Sequence, residues 1–530
     1  MNATASGRPA MVVRRIALAV SAMWMSRLVA IALGLLLMPA LFRSLPKAEL
    51  GVWLLLSQSG VMLLMLDLGL TSTLTRRFAF RRGETAGGPE ESLTAEHAQG
   101  FAALIATGRV LYRGIAVGVG LLAWGGGLLF IGTLGLDEPL SRQAELAWTI
   151  ICVSQAIALS NGLWTAVIAG LGHVAPIALL STGMTSLTLL AQTGAVWAGG
   201  GLVALAAIGA AGNVAFRMAA IIYLRRNEPA VSGGVGAWSR PEAETLLSPS
   251  LKYFLTEIGA ILLTRTDQYF IAGYLNPERI PEYFASYTLA FHAALIAIAI
   301  GDAANIYVSQ LWRTAARDRV APLVLKSMRI GMGLMALATA LLLFAGDAII
   351  AAWLGAGHYA GLPLMATFCA MLLVYTQQSL LFGFSRATEN EIYAVIYLAA
   401  GALNVALSVV LAPILGLVGV ALATLLAQLA TTGWQIPTTA LRRLDIPWRV
   451  YVAQVLAPVL ALFTAAAAAM AVAAVWTAHG GPLSRALACA AAGALVALFG
   501  FWTLVLDRNL RAMTIERARR AFGRRLVTDA

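Results

Sequence analysis

Charge is what this sequence has least of. Asp, Glu, Lys and Arg make up 12% of its 530 residues, about half the share of an ordinary soluble domain. Lysine is scarcer still. None of Lys47, Lys252 and Lys326 follows a glycine loop able to cradle phosphate, which excludes ATP hydrolysis by the chain itself. No two of the five histidines have zinc-ligand spacing, and no serine stands in a nucleophile elbow, so no cofactor is implied. Cys152, Cys369 and Cys489 fall in separate apolar stretches, where they read as packing residues and say nothing of the redox compartment. Long external loops are missing too. The longest, around Gly135 to Glu145, is too short to fold a site of the kind a membrane glycosyltransferase or polymerase needs.

Apolar residues fill the remainder: 60% of the chain is hydrophobic and the mean hydropathy is +0.80. About 20 apolar residues cross a ~30 Å hydrocarbon layer as a helix, and windows of that length recur throughout. Helices are the expected spanning form, because their backbone bonds close internally. The fold class expected is therefore an all-α polytopic membrane protein with fourteen spans: 16–42, 50–75, 110–134, 146–171, 174–199, 202–224, 252–275, 283–309, 330–354, 362–385, 392–414, 417–440, 450–476 and 484–506. The first is too long for a signal-peptide core and reads as an uncleaved anchor.

Lys and Arg are retained on the cytoplasmic face of a membrane. With both termini placed there, most of the 37 fall in cytoplasmic segments; Arg43, Lys47, Arg142, Arg279 and Arg485 lie outside, and Arg27, Arg217 and Arg265 fall inside spans. The net charge of +12 follows from the same bias and gives no reason to invoke nucleic acid. Its expected partner is anionic lipid. The basic tail, Asp507 to Val527, interleaves arginines with Leu510, Met513, Phe522 and Leu526, a spacing open to an interfacial amphipathic helix or a solvated tail.

An internal repeat organises the spans. Gly170 to Ile208 parallels Gly383 to Ala423: a glycine-bounded turn with a basic residue (His173, Arg386), a span, then Gly-Leu-Val opening the next span at Gly201 and Gly416. The copies lie six spans apart, an even number, which predicts two six-helix lobes related by a pseudo-twofold along the membrane normal. The expected organisation is a cytoplasmic N-terminus (1–15), an N-lobe (16–224), a cytoplasmic linker (225–251), a C-lobe (252–440), an extra pair of spans (441–506) and the basic tail (507–530).

Charges inside spans cost a few kcal/mol each and mark a pathway or a pair. Arg27 lies 12 residues from Arg15 and Arg265 lies 13 from Lys252, both about 18–20 Å deep on a straight helix. Asp67 precedes Arg76 by nine residues and Asp302 precedes Arg313 by eleven, about 14–17 Å. Two roles stay open. Arg27 and Arg265 either pair with Asp67 and Asp302 inside each lobe, or line a cavity between the lobes where guanidinium forks meet phosphate oxygens while a carboxylate exchanges protons. Asp67, with Gly69 and Thr71 just beyond it, also suits the cap of a broken helix. Arg217 joins the cationic candidates or snorkels to the cytoplasmic surface, and Glu257 has the same choice. Asp267 reads as intra-lobe packing or ion coupling, His292 as a satisfied buried histidine, and Asp347 as a group reaching water at the outer end of its span.

The stretch from Arg27 to Leu70, ending "LDLGL" after Gly51-Val52-Trp53, resembles the opening of bacterial polysaccharide flippases, the O-antigen and exopolysaccharide branch of the multidrug/oligosaccharidyl-lipid/polysaccharide (MOP) exporter superfamily. "TRTDQYFIAGYL", with Asp267, then "ASYTLAF", with Tyr287, is similar to that family's seventh and eighth spans, and "APILGLVGVALATLLAQ" resembles its eleventh-to-twelfth turn. The resemblance implies translocation of an undecaprenyl-diphosphate-linked oligosaccharide from the cytoplasmic to the periplasmic leaflet of a bacterial inner membrane by alternating access, with a polysaccharide polymerase or export complex as partner. Many such flippases have twelve spans; the lipid II flippases, with fourteen, use the extra pair in lipid binding. A drug or cation exporter of the same superfamily is the alternative, and a membrane enzyme acting on lipid-linked sugars a further one.

Overall fold

A computed structural model describes residues 29, 32–85, 95–232, 236–312, 317–388, 393–477 and 479–505. They are helical nearly throughout, with no strand among them. The chain divides into two compact units, Met1–Ile261 with Gln268–Pro281, and Leu262–Asp267 with Glu282–Ala530.

The first unit contains α1 (Ala32–Ser44), α2 (Lys47–Met65), α3 (Leu70–Thr85), α4 (Ala95–Thr133), α5 (Glu138–Gly170), α6 (Val174–Trp197), α7 (Leu202–Asn227), the short α8 (Pro229–Ser232), most of α9 (Arg240–Thr264) and nearly all of α10 (Asp267–Tyr274). Most of α11 (Ile280–Trp312), then α12 (Val320–Leu354), α13 (Leu362–Arg386), α14 (Ala394–Ala430), α15 (Thr432–Arg443), α16 (Trp448–Tyr451), α17 (Ala457–Trp476) and α18 (Pro482–Val496) make the second.

Among the described residues, 11 helices are long and apolar enough to cross a bilayer. The expected count of fourteen is thus not what these residues give, and the reasons are local. Ala394–Arg443 runs as one apolar stretch, because the turn expected between two spans is reduced to Gly416, whose φ of 59° is open to a residue without a Cβ. The seventh expected span is not one helix: it stops at Thr264 and resumes at Asp267, leaving only Phe254–Thr264 as a short apolar piece. The start of the first span lies outside the described residues, leaving Ala32–Ser44.

Packing differs between helices. In the first unit Phe78 of α3 stacks on Phe101 of α4 with centroids 6.0 Å apart, in a cluster with Tyr112, Leu163 and Leu224. Residues 225–251, expected to link two lobes, add Val231 and Leu246 to that cluster. They also supply Glu228 and Glu242, which pair with Arg82 (3.1 Å) and Arg81 of α3. Helix α6 is the exception: only Ile177, Gln192 and Val196 of its 24 residues are buried. In the second unit α17 and α18 pack near α12 through Ala340, Ala345, Ala466, Met470 and Cys489, small or pliant side chains that let helices approach closely.

Candidate functional site

The break between α2 and α3 carries the first group of polar residues. Leu68 (φ 56°) and Gly69 (φ 69°) both adopt the left-handed conformation, so the chain cannot continue α2. Asp67 then caps the restart. Its Oδ1 accepts a hydrogen bond from the Gly69 N–H (2.8 Å) and its Oδ2 one from the Thr71 N–H (3.2 Å), meeting donors that a helix start leaves open. Thr71 also shares a 2.7 Å hydrogen bond with the Tyr112 hydroxyl, which ties α3 to α4.

This break borders a cavity of about 560 Å³ inside the first unit. Its walls come from α2, α3, α5, α6 and α7 and include Gln155, Asn161, Thr185, Thr188 and Asn213. Asp67 is the only charged group lining it among the described residues. At its margin Arg217 donates to Asn161 Oδ1 at 3.4 Å. Arg109 and Arg113 of α4 act on Arg217 as like charges, and Arg109 lies over the Trp164 ring, 5.7 Å from its centroid. Three guanidinium groups therefore gather on α4 and α7, of which sequence reasoning had singled out one. A second cavity, about 240 Å³ and mainly apolar, lies beside Phe130, Trp148 and Tyr269.

In the second unit the break at Arg265–Thr266 frees the last carbonyls of α9. Asn404 of α14 takes two of them, its Nδ2 donating to Leu262 O (3.0 Å) and Leu263 O (3.3 Å). Asp267 opens α10, where the helix dipole favours a carboxylate. Only 6% exposed, it accepts a hydrogen bond from the Tyr283 hydroxyl at Oδ2. Thr424 Oγ1 lies 3.3 Å from Asp267 Oδ1 and 3.1 Å from Asn404 Oδ1. The adjoining cavity, lined in part by Asp267, Tyr287, Phe291 and Tyr375, measures about 10 Å³, room for roughly one water molecule.

Arg265 is half-buried and sits over Phe291 at 5.9 Å. Arg265 and Asp267 both act electrostatically on Tyr287, so the structure gathers them around one phenol. Asp302, matched in depth to Asp67 by sequence, lies exposed within the uninterrupted α11, a different setting from the helix break at Asp67. Glu257 is half-buried on α9, and His292 bonds through Nδ1 to Thr288 O at 2.7 Å. Asp347 forms an ion pair with Arg485, which joins α12 to α18. Beside them Tyr359 is pushed up to about 12 by burial and then by Asp347. Arg27 lies outside the described residues, as does the basic tail. No three His, Cys, Asp or Glu side chains among the described residues converge in a way that could hold a metal ion.

Sequence reasoning missed Tyr283, Asn404 and Thr424 as partners of Asp267, and it missed the cavity. A usable signal existed for the cavity: Ser181, Thr185 and Thr188 recur at helical spacing within an apolar span.

Neither a protein-family model nor a curated protein matches the sequence. Solved structures match its shape. The lipid II flippase MurJ, in an inward closed conformation, superposes with a TM-score of 0.67 at 12% identity, over 91% of this chain and 99% of that one. An inward-facing multidrug resistance MATE family transporter of the MOP superfamily gives 0.62 at 13% identity, over 81% of this chain and 98% of that one. A MOP superfamily transporter from Pyrococcus furiosus, noted for the reverse polarity of its binding pocket, gives 0.53 at 12% identity over 81% and 96%. The protein is thus a multi-pass membrane protein with the fold of these flippases and transporters.

Proposed function

We propose that the chain is a flippase moving undecaprenyl-diphosphate-linked oligosaccharide units from the cytoplasmic to the periplasmic leaflet of a bacterial inner membrane, by alternating access, for assembly of a surface polysaccharide such as an O-antigen or exopolysaccharide. The observation that carries this reading is guanidinium groups in apolar helical segments of both units: Arg217 with Arg109 and Arg113 on spanning helices of the first, Arg265 at the break between α9 and α10 in the second. Arg27 joins them on sequence alone. A cation within a bilayer is costly unless it meets an anion. A diphosphate supplies that anion, and its oxygens match the planar guanidinium fork. The polyprenyl tail stays in lipid. The superposition on a lipid II flippase, which covers more of this chain than that on the MATE transporter, supports the same class of cargo.

Coupling to the proton gradient or the membrane potential acts through carboxylates on the spans, with Asp67, Asp267, Asp302 and Glu257 as candidates. A polymerase or export complex receives the product, and anionic lipid holds the basic tail. A second reading, a drug or cation exporter, is favoured by one observation: among the described residues, the one charge lining the large cavity is the carboxylate of Asp67.

The deciding experiment replaces Arg27 and Arg265 by Ala at unchanged protein level in cells that depend on the chain. Lipid-linked units then accumulate on the inner leaflet; undiminished polysaccharide export overturns the reading. An exporter would instead change drug susceptibility with polysaccharide intact. Flipping in inverted vesicles that ignores collapse of both gradients removes the coupling.

A further inference from the structure

We infer that the cavity inside the first unit is a subsite for a neutral saccharide unit of the cargo. This rests on the flippase reading and adds to it the place where sugar, as distinct from diphosphate, is recognised.

Size comes first. About 560 Å³ falls within the roughly 300–1,000 Å³ of small-molecule sites. The lining narrows the occupant. Hydroxyls and amides, Gln155, Asn161 and Thr185 among them, are set into a wall that Leu64, Leu159 and Phe216 help make largely apolar, which suits a guest with both O–H groups and C–H faces, as a sugar ring has. Several donors there are already committed: Thr188 Oγ1 donates to Met184 O (2.9 Å), Asn213 Nδ2 to Ser154 Oγ (2.9 Å), and Asn161 Nδ2 to Asn213 O (3.2 Å). Gln155 Oε1 is a buried acceptor with no hydrogen-bond partner among the described residues. Leaving such an acceptor unmet is costly, so a turn of the amide toward an O–H donor of a guest would be favourable.

Charge decides between the polar classes. Asp67 in the wall disfavours phosphates and uronic acids. Both of its oxygens already accept backbone N–H groups, which weakens its draw on a free cation. The lining holds one aromatic ring, Phe216: too few for a cage around an organic cation, but a flat surface for the C–H face of a sugar ring. The guanidinium groups lie at the margin, where Arg217 bonds Asn161. Sugar inside and diphosphate outside is the order that this arrangement fits.

The test uses the full chain in lipid nanodiscs with two probes, farnesyl diphosphate and the same diphosphate carrying one glucose. The glucosyl probe is expected to bind at least tenfold tighter than the sugarless one. Gln155→Leu and Thr185→Val are expected to remove about tenfold from the glucosyl probe and to leave farnesyl diphosphate unchanged. Equal binding of both probes, unaffected by the variants, overturns the subsite and leaves the flippase standing. Failure of farnesyl diphosphate itself to bind overturns the flippase reading, and the subsite with it. A second measurement does not depend on affinity: Thr185→Cys is labelled by a hydrophilic maleimide, against a background of three buried native cysteines. Protection by the glucosyl probe supports the subsite. No labelling, or protection by tetraphenylphosphonium alone, overturns it.

Discussion

Two spanning segments break around a carboxylate, and the surroundings of the two breaks are opposites. Asp67 stands where α2 gives way to α3, half-buried and beside a cavity of about 560 Å³, and its oxygens are used on its own backbone. Asp267 stands where α9 gives way to α10, beside a gap of about 10 Å³, and its oxygens are used on Tyr283 and Thr424, from other helices. The same side chain is thus a local cap in one place and a clamp between helices in the other. What separates them is the presence of hydroxyls within reach. Where neighbours supply donors the break is closed tightly; where they do not, the backbone supplies them and space remains.

Substitutions can break this contrast. The largest effect is expected from Asp267→Ala, which strands two buried hydroxyls and should cost about 2–5 kcal/mol, seen as a fall in the Tm of the detergent-solubilised protein. Tyr283→Phe removes one donor only and should cost about 1–3 kcal/mol, with Asp267→Asn in the same background recovering part of it. Asp67→Ala loses a cap and should cost about 0.5–2 kcal/mol. Asp67→Asn keeps an acceptor for the Gly69 N–H and should restore stability. If Asp67→Asn is stable yet abolishes the proposed transport, Asp67 couples an ion as well as capping. Smallest is Glu242→Gln, which breaks a partly exposed pair with Arg81 and should cost about 0.2–1 kcal/mol, less in high salt. A loss at Asp67 as large as that at Asp267 would mean that the two breaks are not different in kind.

Much of this was legible beforehand, unevenly. The apolar segments and the broken helix at Asp67 follow from periodicity and from the residues around Gly69, because both are local properties. The break at Arg265–Thr266 was read as one continuous span: Thr266 before Asp267 is a capping pattern, but hydropathy does not interrupt there. The partners of Asp267 lie 16 and 157 residues away in Tyr283 and Thr424, and no spacing rule reaches so far. Comparable distances in sequence separate Glu228 from Arg82 and Asp347 from Arg485, so neither pair shows in the sequence. Arg109 and Arg113 lie near the start of an expected span, where the sequence alone does not relate them to Arg217, on which both act as like charges.

The sparse burial of α6 has an evolutionary consequence. A helix that buries so few side chains against the protein carries a polar face whose residues can change with little loss of packing. Substitutions there are the least constrained route by which the lining of the adjoining cavity can change.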